Sequence, residues 1–249
     1  MAGHAHKWAT PFALAGCLVL LVGCANRPRY HVSVSALAAS EADSARRYVL
    51  LPGNKDVKPQ DLQFREYAAY LRRVLDSQGF SEVSDDRDAD VVIVALYSIS
   101  EPQEHTYTYA IPHWGQTGYR SATTYGTLYT YGNYGTYSGT TYYQPSYGIT
   151  GYSTGVGSYV TYTRTLGLLG FDAKSVRAGE EPKELWRVFA VSVGSSSDLR
   201  MIFPYLVAAA RPYIGKATEG RAVEFTFKED DERVAEIRAA VVGGNEVDR

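Results

Sequence analysis

The chain has 249 residues, with 25 Lys and Arg set against 27 Asp and Glu. That length has room for one large domain or two small ones. A charge near neutrality, without any basic patch, excludes nucleic acid as an expected partner.

The first element in chain order is an apolar stretch from Trp8 to Val22, interrupted only by Thr10 and Pro11 and preceded by His4, His6 and Lys7. It falls short of the roughly 20 apolar residues of a membrane span and has the length of a secretory h-region. Leu21-Val22-Gly23-Cys24 follows. These four residues resemble the lipobox of bacterial lipoproteins, in which the cysteine is diacylated through its thiol and becomes the new N-terminus. Leu14-Ala15-Gly16-Cys17 is a competing match, but cleavage there shortens the apolar core and leaves the greasy run Leu18 to Val22 on the product. An uncleaved anchor and a secretory signal without lipid are the other readings of the segment. Cys17 and Cys24 are the only cysteines, so cleavage before Cys24 leaves a single thiol and no means for a disulfide or a zinc-thiolate site. The expectation is a signal peptide at 1–23 and a lipid on Cys24. Ala25 in the next position resembles outer-membrane cargo, so the expected location is the outer membrane, facing the periplasm. Such an anchor suffices for stable attachment.

Residues 24–45 then hold the lipidated terminus, a strand and a loop. Tyr30, Val32 and Val34 alternate with His31, Ser33 and Ser35, the pattern of a half-buried strand, with His31 on its polar side. The remainder, 46–249, reads as one domain. "RYVLLPGN" is a strand stopped by Pro52-Gly53. Leu62, Tyr67, Leu71, Val74 and Leu75 recur at helical spacing, with Gly79 placed to cap and Phe80 to close the cap. Val91–Ile99 is β-branched and apolar throughout, the mark of a central strand covered on both sides. Past residue 162, "TRTLGLLGFDAK" and "ELWRVFAVSV" read as strands. A helix follows, capped by Ser196 or Ser197 with Asp198 in its first turn; Pro204 should kink or restart it and Pro212 should end it. "AVEFTFK" alternates strictly, and a final amphipathic helix ends at Gly243-Gly244. The sum is an α+β fold: a mixed, mostly antiparallel sheet, helices packed on one face, and a long Tyr/Gly-rich insertion of loops and hairpins.

The chemistry-bearing residues form no coherent catalytic set. "VGSSSD" lacks the Gly-x-Ser-x-Gly spacing, and neither a phosphate loop nor a dinucleotide fingerprint is present. Asp86, Asp88 and Asp90 have calcium-loop spacing, but Val91 and Tyr97 stand where that loop needs Gly and Glu. Glu101, Glu104, His105 and His113 are close in sequence without a defensible ligand pattern, and Asp172 lacks a partner. No enzyme activity, cofactor or metal is expected; an envelope hydrolase without a recognisable motif would need Asp172, His105 or His113 gathered in one pocket.

The succession "RYVLLPGN", "LQFREYAAYLRRVLDSQGF", "ADVVIVALYSI", "LGFDAK" and "ELWRVFAVSVGSSSDLRMIFPYLVAAARPYIG" resembles uncharacterised bacterial envelope lipoproteins close to the domain-of-unknown-function family numbered 4136. The resemblance covers most of residues 47–215 and implies an envelope lipoprotein with no known reaction. It carries no functional residues over.

The insertion at 105–162 is the sequence's most unusual part. Between Tyr107 and Tyr162 lie 14 of the 21 tyrosines and 10 of the 23 glycines, and Arg120 is the only formally charged residue. Tyr and Thr favour strands, and Gly132-Asn133 between two such runs signals a hairpin that sets Tyr131 beside Tyr134. The alternation slips at Gly135, so the pattern beyond it stays open between ordered loops and a flexible, self-associating tract. Tyr129, Tyr131, Tyr134, Tyr137, Tyr142, Tyr143 and Tyr147 are the candidate interaction surface, since tyrosine rings bury large areas and keep a polar handle. The expected role is a lipid-anchored envelope protein presenting this surface to a macromolecular partner: an envelope protein, a second copy, or glycan such as peptidoglycan.

Overall fold

A computed structural model describes residues 28–244. The signal segment 1–23 and Cys24 lie outside the described residues. Eight strands form one mixed sheet: β1 (Arg29–Ala38), β2 (Arg47–Pro52), β3 (Ser81–Glu82), β4 (Val91–Ile99), β5 (Gln103–Tyr131), β6 (Tyr134–Asp172), β7 (Glu184–Gly194) and β8 (Val223–Lys228). Across the sheet they run β3-β2-β4-β6-β7-β1-β8, with β5 added to β6 alone. The β2–β3 and β2–β4 pairs are parallel, and every other pair is antiparallel. The fold is therefore α+β, as the order of elements suggests.

Three helices, α1 (Leu62–Ser77), α3 (Leu199–Ala210) and α4 (Glu232–Gly244), bear on one another and cover one face. Helix α1 forms because its apolar residues share a stripe, and it stops where chemistry stops it. Gly79 takes φ +81°, Phe80 N–H donates to Leu75 C=O at 3.0 Å, and Gly79 N–H donates to Asp76 C=O at 3.0 Å. That is a Schellman cap, and it drops Phe80 into the core against Tyr48 and Trp186. Beneath the helices, Val91, Ile93, Ala95 and Tyr97 of β4 meet Leu166 and Leu168 of β6 and Trp186, Val188 and Ala190 of β7. Tyr67 of α1 stacks on Phe203 of α3 with ring centroids 3.8 Å apart.

Three expectations change here. Helix α3 does not restart at Pro204 but continues through it, because every side chain from Ile202 to Ala210 is buried and that packing outweighs the single N–H the proline withholds. Its N-cap is Asp198, whose carboxylate accepts the N–H of Met201 at 3.2 Å; the Ser196 hydroxyl accepts the N–H of Asp198 instead. The other face of the sheet is thinly covered. Val92 is buried with Ala89 and Ala173, at the start of the short helix α2 (Ala173–Ala178), while Val94 and Leu96 are only half-buried. So β4 is covered fully on one side and partly on the other.

Two interior glycines of β6 have a packing reason. Gly170 pairs with Trp186 and Gly167 with Phe189 across the β6–β7 ladder. A Cβ at Gly167 would lie 2.7 Å from the Phe189 ring, and one at Gly170 would run into the indole of Trp186. Each ring occupies the space its cross-strand neighbour leaves empty.

Candidate functional site

Above the core, β4 and β5 are nearly one strand, since Ile99 pairs with Arg164 and Gln103 with Thr161 of the same β6. The β6 strand is continuous for 39 residues: its last part, from Tyr162 on, lies between β4 and β7 inside the sheet, and the rest pairs with β5 only. The insertion is therefore a single two-stranded ribbon that continues the sheet outward. With 29 residues in β5, it is about 90 Å long. Its ladder runs from Gln103↔Thr161 to Tyr131↔Tyr134. The boundary expected at 105–162 shifts slightly, to strands that start at Gln103 and never break at Tyr162.

The turn at the tip is the one the sequence signals. Gly132 takes φ +62°, and Asn133 does not enter the left-handed region. This is the Gly-first pattern of a type II′ hairpin turn, whose twist matches that of the strands.

Ring-over-glycine packing recurs along the ribbon and gives it local support. Tyr107 pairs with Gly157 and Tyr109 with Gly155, and Cβ atoms at these glycines would lie 2.7 and 2.6 Å from the two rings. Tyr137 lies across the Gly126↔Gly139 pair in the same way. The Thr124 and Thr141 hydroxyls bond across the strands at 2.7 Å. Cross-strand pairs of these kinds are the units of sheet stability.

The seven candidate tyrosines are all on the ribbon and all exposed, from 58% at Tyr137 and Tyr143 to 91% at Tyr131. The register divides them. Tyr129, Tyr131, Tyr134 and Tyr142 share a face with Tyr125, whose ring meets that of Tyr142 at 6.1 Å. Tyr137 and Tyr143 point the other way, with Tyr119 against Tyr143 at 4.9 Å. Tyr147 lies past register shifts at Tyr119/Ser121 and Gln116/Gly118. Sequence reasoning missed Tyr107, Tyr109, Trp114, Tyr125 and Tyr152 as further exposed rings of the same ribbon. Their signal was present in the composition but not in any alternation.

Other chemistry-bearing residues are scattered. His105 Nε2 is 2.8 Å from Thr161 Oγ1, and its ring stacks on Tyr159. His113 lies eight residues further along β5, about 26 Å away. Asp172 caps α2 by accepting the N–H of Ser175 at 3.0 Å, roughly 40 Å down β6 from His105. These three do not form a site. His31 bonds Thr226 across β1 and β8 at 3.1 Å. Of the acidic run, Asp85 caps a short turn through Arg87 N–H, and Asp90 binds Arg47, which holds the Asp90 carboxyl below its ordinary range. Among the described residues no three His, Cys, Asp or Glu side chains gather as metal ligands.

At the root of the ribbon sits a buried cation. Arg164 is 2% exposed; its guanidinium donates to Ser196 C=O at 2.9 Å and Ser192 Oγ at 3.1 Å, while Nε has no partner among the described residues. Burial pushes its pKa down. The cleft beside it, about 240 Å³, is lined also by Pro28, Arg29, Tyr30 and His31. The start of β1 is thus at the end of the sheet from which the ribbon leaves. The β1–β7 register shows the same thing, running from Ser33↔Val191 down to Ala38↔Trp186.

The described residues define an α+β domain that bears a projecting aromatic ribbon with few charges. No protein-family model and no curated protein matches the chain. Among solved structures, it is similar to a PDZ domain protein from Parabacteroides distasonis, at 10% identity and a TM-score of 0.36, over 80% of this chain and 39% of that one. It is also similar to the lysenin pore, at 6% identity and a TM-score of 0.11, over 81% of this chain and 49% of that one. The chain spans less than half of either, and TM-scores this low define no shared fold.

Proposed function

We propose that the chain is a lipid-anchored envelope protein of structural or interaction type, which presents its tyrosine ribbon to a macromolecular partner. One observation carries the reading: a ribbon about 90 Å long, whose only formal charges are Glu104 at its root and Arg120, exposes tyrosines on both faces. An isolated two-stranded ribbon is marginal in water, and uncovered aromatic surface on this scale marks a place where something else docks. The lipobox supplies the location. Arg29 follows Cys24 by five residues, a reach of about 17 Å, so an anchor at Cys24 keeps the ribbon's root near the bilayer surface. The resemblance to envelope lipoproteins agrees with that setting.

Cys24→Ser is expected to abolish incorporation of labelled fatty acid and to release the chain from the membrane fraction. A variant that is still labelled and still fractionates with membranes would refute the anchor. A second reading, a glycan platform, is favoured by Tyr107 and Tyr109, whose rings cover glycines on one side and leave the other side open for stacking. It requires co-sedimentation with purified cell wall that falls when Tyr107 and Tyr109 become alanine.

A further inference from the structure

Among the described residues the ribbon has two open edges. β5 pairs with β6 alone, and the second edge of β6, filled by β7 within the sheet, is bare beyond Tyr162. In an antiparallel pair alternate residues turn their N–H and C=O outward, so each edge is a row of unpaired donors and acceptors. Such edges template pairing unless a proline, a charge or a bulge blunts them.

In this ribbon the blunting devices are concentrated in its middle. Pro112 and Pro145 withhold an N–H, Arg120 carries the one formal charge beyond Glu104 at the root, and the register shifts fall at His113/Trp114, Gln116/Gly118 and Tyr119/Ser121. Beyond them the ladder runs without a shift from Ser121↔Gln144 to Tyr131↔Tyr134, with no proline and no charge on either strand. The outer third is strand-forming, neutral and unguarded on both sides.

We infer that the occupant of these edges is a second copy of this chain: the outer edge of β5, Ser121–Tyr131, pairs with the outer edge of β6, Tyr134–Gln144, in the next molecule. Each chain carries both halves of the contact at equal length, so the surface is complementary to itself. Its neutrality removes the like-charge repulsion that ordinarily keeps identical edges apart. The pairing is head-to-tail. β5 runs away from the body and β6 runs back, so neighbours pair antiparallel only when their ribbons point the same way. Chains held to one membrane are arranged so, and that clause rests on the anchor proposed above. A heterologous contact of this kind closes into a ring or extends as an array. Lipid is the poorer occupant. A strand facing lipid needs an apolar band on one face, and here Tyr125, Tyr129 and Tyr142 share theirs with Thr123, Thr127 and Ser138, while Leu128, Tyr137 and Tyr143 share the other with Thr124, Thr130 and Thr141.

The test uses the full chain purified from membranes in detergent, followed by sedimentation velocity over a concentration series at low salt. Thr123→Lys with Thr136→Lys places one charge on each strand at separate heights along the ribbon. In a paired array, equivalent lysines recur every two strands, about 10 Å apart and near the Debye length at 0.1 M salt. The concentration for half-association is expected to rise about tenfold or more. Thr123→Glu with Thr136→Glu should behave alike, and a one-to-one mixture of the two should associate as the wild type does. Emission of the buried Trp186 reports that the body is intact in each. The inference is overturned if the wild type is monomeric throughout, if both charged variants associate as it does, or if a chain with 121–144 replaced by Asn-Gly still associates. A monomeric wild type that binds cell wall or another envelope protein through its ribbon would leave the function proposed above standing and remove this inference alone. Ribbon-dependent flotation with liposomes by a monomer would make the bilayer the occupant, and would also overturn it.

Discussion

Trp186→Ala is expected to destabilise the body by about 3 kcal/mol, the lower end for a fully buried aromatic. The indole is 1% exposed, meets Phe80 edge-on at 6.3 Å, and lies over Gly170 on the facing strand. It therefore ties the capped end of α1 to the centre of the sheet, and its removal leaves a cavity at that junction. The loss is not larger because the indole N–H has no partner among the described residues, and removing a buried unpaired donor returns about 1–3 kcal/mol. Gly170→Val should cost about 1–3 kcal/mol by overpacking the same space. The two substitutions share one volume, so the double variant is expected to be more stable than the sum of the two costs. Urea unfolding checks this; simple additivity would mean that the ring and the glycine do not form a unit.

Replacing residues 102–161 by Asn-Gly, so that Glu101 and Tyr162 are joined by a two-residue turn, is expected to leave the body's stability within about 1 kcal/mol of the full chain while all ribbon-dependent association disappears. Between Tyr97 and Arg164 no side chain joins the buried core. Ser100 already bonds Thr163 across the two strands at that point, through N–H to C=O at 2.9 Å and through its hydroxyl at 3.0 Å. The shortened hairpin thus keeps the β4–β6 ladder. Calorimetry and sedimentation on one preparation give both readouts. A body that unfolds without its ribbon would show that the ribbon is part of the core.

What the sequence makes legible follows local chemistry. Gly132-Asn133 specifies the hairpin turn, Gly79-Phe80 specifies the cap, and the β-branched run of β4 specifies a buried strand; each acts over a few residues. Illegible features depend on distant partners. Gly126, Gly139, Gly155 and Gly157 look like strand breakers, yet each is covered by a tyrosine ring, from across the ladder at Gly126, Gly155 and Gly157. Gly135, where the alternation fails, pairs with Thr130 and faces Leu128 instead, and the ladder continues through it. The passage of β6 from open ribbon to core at Tyr162 has no turn signal, because burial changes there and backbone direction does not. β3, two residues long, has no period to read. The choice of Asp198 over Ser196 or Ser197 as the cap of α3 is made by where helix geometry begins, and all three residues are acceptable caps.

The central claim is that the ribbon, and not the body, makes this protein's contacts. A photo-crosslinking amino acid placed singly at Tyr129, Tyr134 or Tyr142 in living cells tests it directly, with Lys216 and Glu219 on the body as controls. Adducts formed from the three ribbon positions and not from the two body positions are the predicted result. Adducts from Lys216 and Glu219, with none from the ribbon, would contradict it.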